Sequence, residues 1–211
     1  MTHPKAVLWD MDGTLIDSEH VAIDALRAAL DEAGVPPIPD LHDQVVGRSA
    51  DELYRWFVSD FGLTLDSVSW EERKHRLHFA ASARIAAFPA ALEAFRELAA
   101  LGVPQAIVTN SDRLIVDAQL RLVGISRPGL LTVSRNDVRA GKPAPEGYLR
   151  AAWLLNCDPA ACLVIEDSPS GVAAGLAAGM EVRIVPHAPA AVTGAPRLAS
   201  MQDLVRLVSA P

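Results

Sequence analysis

The stretch LWDMDGTLID, Leu8 to Asp17, carries an apolar run straight into acid at Asp10, Asp12 and Asp17. Asp10 and Asp12 stand two residues apart, so in an extended chain both side chains point to one side and address one substrate. A carboxylate so placed can attack phosphorus and form an acyl phosphate, dividing one hard displacement into two easier ones. A second carboxylic acid beside it can protonate the departing alkoxide and then, as a base, activate the water that clears the intermediate. Gly13 and Thr14 turn the chain away and leave backbone amides to cradle phosphate oxygens. Asp17 reads instead as a helix-capping or solvated turn acid.

Other apolar runs end in the same polar fashion. Thr109, Asn110 and Ser111 follow QAIV, Glu166 and Asp167 follow CLVI, and Lys142 precedes the helix expected at Pro145. Lys142 brings positive charge to a transferring phosphoryl group, Thr109 a hydroxyl and Asn110 an amide, and such chemistry is mostly positioning and charge stabilisation. Asp10, Asp12 and Asp167 packed together repel one another unless a cation shares them or one is protonated. Mg2+ fits best, because it takes hard oxygen ligands, commonly one or two carboxylates with waters and a phosphate oxygen.

Residues this far apart meet only if the fold gathers them. The short runs AVLW at 6–9, QAIVT at 105–109, LLTV at 130–133, CLVI at 162–165 and VRIV at 182–185 do not alternate, as expected of parallel strands covered on both faces. Helical segments lie between them, one from Pro89 to Gly102, one from Asp112 to Gly124, and others opening at Pro145 and at Ser168-Pro169. The pattern predicts an α/β chain with a Rossmann-like, doubly wound parallel sheet, whose ligand crevice lies beyond the carboxyl ends of the strands.

From Ser18 to about Ala87 only helical signals appear, including capping boxes at Ser49 with Glu52 and Ser69 with Glu72. The expectation is an all-helical cap domain at 17–87 inserted into a core of 1–16 and 88–211, with hinges near Leu15 to Ser18 and Ala86 to Pro89. The Ala- and Pro-rich segment from Pro186 to Pro196 reads as irregular, and Gly171, Gly175 and Gly179 as a helix face packing closely on a neighbour.

DMDGTLIDS resembles the signature of the haloacid dehalogenase superfamily, and the likeness continues through VTN at 108–110, GKPAPEGY at 141–148 and IEDSPSG at 165–171. These blocks stand in the family's order and spacing and span essentially the whole chain. The resemblance implies Asp10 as nucleophile, Asp12 as acid/base, Thr109 as a phosphate-binding hydroxyl and Lys142 as the lysine beside it. It implies Asp167 as a metal ligand with the Asp10 side chain and the Asp12 carbonyl, and Glu166 reaching the Mg2+ directly or through water.

The insertion looks like the helical cap of the subgroup of phosphoglycolate phosphatases, sugar-phosphate phosphatases and beta-phosphoglucomutases. In that subgroup a cap loop descends on the substrate, and VVGRSADEL would place Arg48 against a second anionic or hydroxyl group. Dehalogenases lack the second aspartate, present here as Asp12. Mutase-like members carry Thr after the hinge aspartate and His four residues beyond, where this chain has Ser18 and Ala22. The expectation is therefore a Mg2+-dependent phosphatase of a small sugar, polyol or glycolate-type phosphate, ahead of a mutase or a non-catalytic phosphate-ester binder.

Composition agrees with this reading. Of 211 residues half are hydrophobic and 21% charged, as in a folded domain. A net charge of −7 without a Lys/Arg run argues against a nucleic-acid partner, and no apolar stretch is long enough to cross a bilayer. The start MTHPKAVLWD lacks a secretory pattern, so a cytoplasmic location is expected, with a monomer favoured. Cys157 and Cys162, the only cysteines, read as reduced and structural.

Overall fold

A computed structural model describes residues 4–45, 48 and 50–209. In chain order the elements are β1 (Ala6–Trp9), β2 (Ile16–Asp17), α1 (Glu19–Glu32), α2 (Leu41–Val45), α3 (Ala50–Phe61), α4 (Ser67–Ala81), β3 (Ala86–Ala87), α5 (Pro89–Ala100), β4 (Gln105–Val108), α6 (Arg113–Leu122), β5 (Leu131–Val133), α7 (Glu146–Leu154), β6 (Cys162–Glu166), α8 (Pro169–Ala177), β7 (Glu181–Ile184) and α9 (Met201–Ser209). Five of the strands form a parallel sheet in the order β5-β4-β1-β6-β7, with helices following the strands as the doubly wound pattern requires.

The central strand explains its own sequence. Every residue from Ala6 to Trp9 is fully buried, so the run cannot alternate. Val7 pairs with Gln105 on one side and Leu163 on the other, which puts the ends of β1, β4 and β6 side by side. Trp9 buries an indole N–H that needs an acceptor, and Gln105 Oε1 supplies it at 2.8 Å while its amide donates to the Phe95 carbonyl at 3.1 Å. A buried glutamine in an apolar strand is thereby accounted for.

The chain divides into two compact units, residues up to Asp17 with those from Ala86 onward, and Ser18–Ile85 between them. The second unit holds α1 to α4 around Phe57, Trp70, Ala29 and Leu30, with the Phe57 and Trp70 rings edge to face at 5.6 Å. In the first unit β2 and β3 pair antiparallel, Ile16 opposite Ala87 and Asp17 opposite Ala86. The strand at Ala86–Ala87 departs from the strand-free reading of that region, because two residues are too few to display a period.

One local expectation needs correction. Asp66, not Ser69, caps α4: one Asp66 oxygen accepts from the Val68 and Ser69 amides, both at 3.0 Å, and the other from the Ser69 hydroxyl at 2.7 Å. An ionised two-oxygen acceptor outbids a serine two residues into the helix. Ser49 of the other expected box lies outside the described residues. Asp112 opens α6 as expected, at its N-cap, with no side-chain cap bond, and the Arg113 amide donates to Asn136 Oδ1 at 2.8 Å.

Helix α9 was not anticipated, although its buried Met201, Leu204, Val205 and Val208 follow helical spacing. Cys157 and Cys162 are free, and both thiols meet the Asp158 carbonyl, at 3.7 and 3.4 Å. No helix among the described residues is long and apolar enough to cross a membrane.

Candidate active site

The carboxyl ends of β1 and β6 deliver the acids, and that of β4 the hydroxyls of Thr109 and Ser111. The Asp10 amide donates to the Ile165 carbonyl at 2.9 Å, continuing the β1–β6 pairing one residue beyond the strand and burying Asp10. The chain then turns back, with the Gly13 amide on the Ile16 carbonyl at 2.8 Å. Gly13 has φ +84°, and a Cβ there would lie 2.1 Å from Asp167 Oδ2, so both conformation and space demand glycine. Thr14 does more than turn the chain: its buried hydroxyl donates to Asp167 Oδ1 at 2.9 Å.

Asp12 is steered from β4. Its Oδ2 accepts the Thr109 hydroxyl at 3.1 Å and the Ser111 hydroxyl at 2.7 Å, while the Ser111 amide donates to Thr109 Oγ1 at 2.9 Å. Asn110 differs from expectation. Its Oδ1 accepts the Lys142 amide at 2.8 Å and its Nδ2 donates to the Lys142 carbonyl at 3.1 Å, so the side chain clamps the lysine's backbone instead of facing a phosphate.

Lys142 lies almost wholly buried between two carboxylates, donating to Asp10 Oδ1 and, at 2.6 Å, to Glu166 Oε1. Burial opposes the ammonium, but the facing charges of Asp10 and Glu166 outweigh it and hold the lysine above its usual pKa. Glu166 is fully buried and saturated. Oε1 also accepts the Tyr148 hydroxyl at 2.7 Å, and Oε2 accepts the Asp167 amide at 3.1 Å, the Ser168 amide at 3.2 Å and the Ser168 hydroxyl at 3.0 Å. Burial, then the Glu166 and Asp10 charges, push the Tyr148 phenol well above its ordinary value, so it stays a donor.

Asp10, Glu166 and Asp167 can each present one carboxylate oxygen within 4.8 Å of the others. Burial drives the Asp10 carboxyl well above the usual range against the pull of Lys142, and burial with the Glu166 charge pushes Asp167 up to about 7. Those upward shifts mark burial and the repulsion within the cluster: fully ionised, three carboxylates facing one ammonium would carry an excess of about two negative charges, the amount a divalent cation neutralises. The donor set is all hard oxygen, so the residues fit Mg2+. Because five protein donors already occupy Glu166, Asp10 and Asp167 are the better-disposed direct ligands, and Glu166 chiefly holds Lys142.

Arg48 belongs to the other unit, where its guanidinium lies over the Trp56 ring, 4.5 Å from the centroid. The sequence reads Thr14 only as a turn residue and Ser111 only as a polar group after QAIV, and gives Tyr148 and Ser168 no site role. Thr14, Tyr148 and Ser168 lie within the recognised blocks, but which group each hydroxyl meets is set by contacts made in the fold and not by its neighbours along the chain.

The comparisons with known proteins agree with this geometry. The family model of haloacid dehalogenase-like hydrolases matches residues 4–179. The bifunctional riboflavin kinase/FMN phosphatase of Arabidopsis thaliana is 36% identical over 186 residues, which cover 88% of this chain and 49% of that protein, so the chain spans about half the length of this relative. Hexitol phosphatase A of Escherichia coli is 34% identical over 187 residues, covering 88% of this chain and 84% of that one. The fold matches that of CbbY from Rhodobacter sphaeroides, solved in complex with phosphate, with a TM-score of 0.85 at 23% identity over 95% of this chain and 96% of that one. With the family model spanning most of its length and the acids gathered at the ends of a parallel sheet, the chain belongs to the haloacid dehalogenase-like hydrolases.

Proposed function

We propose that the chain is a Mg2+-dependent phosphatase that hydrolyses a small phosphomonoester through an aspartyl-phosphate on Asp10. The observation that carries this reading is the cluster of Asp10, Glu166 and Asp167 around Lys142, with Asp12 beside it on two hydroxyls. Relatives named as phosphatases of FMN and hexitol phosphates support a small soluble ester as the substrate class.

In the first step an Asp10 carboxylate oxygen bonds to phosphorus, the ester P–O bond breaks, and Asp12 gives the leaving alkoxide a proton. In the second, Asp12 takes a proton from a water whose oxygen bonds to phosphorus, and the P–O bond to Asp10 breaks to release inorganic phosphate. Lys142 offsets negative charge on the phosphoryl oxygens, with the Thr109 hydroxyl and the Asn110 backbone amide as further donors. Asp10, the Asp12 carbonyl and Asp167 would hold the Mg2+, which supplies electrostatic stabilisation of the transferring group. Thr14 keeps Asp167 turned toward that position.

Arg48 is proposed, from its place in VVGRSADEL, to meet a second polar group of the substrate. The test is phosphate release from a panel of small phosphate esters, with Mg2+ and with chelator, and with beta-glucose 1-phosphate followed for glucose 6-phosphate. Mg2+-dependent release from some of the panel is expected, and Arg48→Ala should raise KM on the best ester. Isomerisation without net release would replace the hydrolase with a mutase.

A further inference from the structure

Tyr148 contacts both halves of the Lys142 ion pair. It is fully buried on α7, its hydroxyl donates to Glu166 Oε1 at 2.7 Å, and the Lys142 ammonium lies 5.1 Å from its ring centroid. The preceding Gly147 allows the close approach: a Cβ there would be 3.0 Å from Val108 Cγ1 on β4.

We propose that Tyr148 is the positioning residue that aims Lys142, its hydroxyl fixing the Glu166 carboxylate while its ring carries the ammonium. An ammonium nitrogen is tetrahedral and has three N–H donors. Asp10 and Glu166 take two of them, so fixing those two directions fixes the third. A carboxylate oxygen has two lone pairs. With the Tyr148 hydroxyl on one lone pair of Oε1, Lys142 is confined to the other, and the ring face adds an attraction that holds the nitrogen above it. Loss of the hydroxyl frees the ammonium to turn about Oε1 and misdirects its third N–H. A misdirected donor loses the transition state more than the ground state, so kcat carries the effect.

This inference rests on the reading of Lys142 as a phosphoryl-facing charge, and the experiment separates the two. Steady-state kinetics on the best ester are run for wild type, Tyr148→Phe and Tyr148→Leu, each normalised to folded protein by circular dichroism. Calorimetric binding of orthovanadate with Mg2+, which requires no turnover, is measured on the same proteins. Tyr148→Phe should lower kcat about 10- to 100-fold with KM within about twofold, and weaken vanadate binding by a factor similar to the loss in kcat/KM. Tyr148→Leu, lacking the ring as well, should lose a further few-fold.

Unchanged kcat and vanadate affinity in Tyr148→Phe would overturn the proposal. So would losses that vanish on normalising to folded protein, which mark a merely structural side chain. If wild type hydrolyses no ester, the proposed function fails, and vanadate binding still decides for or against Tyr148.

Discussion

Gly171→Ala exchanges one hydrogen for a methyl group and should be among the most damaging single changes in the sheet domain. A Cβ at this position would lie 1.7 Å from Glu166 Oε1, 1.8 Å from its Cδ and 2.1 Å from Oε2, which places it on the carboxylate itself. That is roughly 2 Å short of a van der Waals contact. The carboxylate cannot step aside, because Lys142, Tyr148, Ser168 and two backbone amides hold it on both oxygens. Either Glu166 is expelled or the first turn of α8 lifts off the sheet.

Parting a buried ion pair costs about 3–5 kcal/mol, and the better helix propensity of alanine returns about 1 kcal/mol. The net loss should be about 2–4 kcal/mol, or about 4–16 °C in Tm for a chain of this size. Thermal and urea denaturation of Gly171→Ala, Glu166→Ala and the double variant measure it. With the carboxylate gone the methyl has room, so Gly171→Ala should be nearly neutral in the Glu166→Ala background, a coupling of about 2–4 kcal/mol. A Gly171→Ala protein as stable as wild type, or one equally destabilised in both backgrounds, would refute the reasoning.

Further outcomes follow from the same contacts. Asp10→Asn should abolish phosphate release, by about 10⁴-fold or more, while its circular dichroism spectrum stays that of wild type; an active, folded variant would exclude Asp10 as nucleophile. Thr14→Val removes the donor on Asp167 Oδ1 and should raise the Mg2+ concentration for half-maximal activity about 10- to 100-fold, read from metal titrations of phosphate release. Asp66 is held below the usual carboxylate range by the Ser69 amide and hydroxyl, opposed weakly by burial. A lowered folded pKa means that its stabilisation is complete above the unfolded value of about 3.9 and disappears as pH falls through the folded one. Denaturation across that acid range should therefore show Asp66→Asn losing less stability than wild type, and parallel profiles would count against the cap.

How much of this was legible in the residues depends on the range of the interaction. Strands β1, β4 and β6 could be read because they are buried on both faces, and continuous apolar runs need no partner to be seen; the edge strands β5 and β7 are only partly buried, and their apolar runs at 130–133 and 182–185 still mark them. The ribbon of β2 and β3 could not be read, because its two-residue strands exist only through pairing across the chain. Helix α9 is local too, its buried Met201, Leu204, Val205 and Val208 standing at helical spacing. Of the three glycines spaced by four, Gly171 and Gly175 do pack against Glu166 and Val182, whereas Gly179, at φ +74°, lies just past the end of α8.

Within the site, the sequence by itself determined which groups were present: Asp10, Asp12, Thr109, Glu166 and Asp167 at the ends of apolar runs and Lys142 before a helix, as local residue types. Only the tertiary structure decided what each one faces. Thr14 reaches Asp167 across 153 positions of chain, Ser111 reaches Asp12 across 99, and Tyr148 reaches Glu166 across 18. It also turned the Asn110 amide onto the Lys142 backbone and filled both oxygens of Glu166 with protein donors. The physical reason is that apolar burial and helix punctuation are properties of neighbouring residues, whereas the direction of a hydrogen bond exists only once strand register has brought its two ends together.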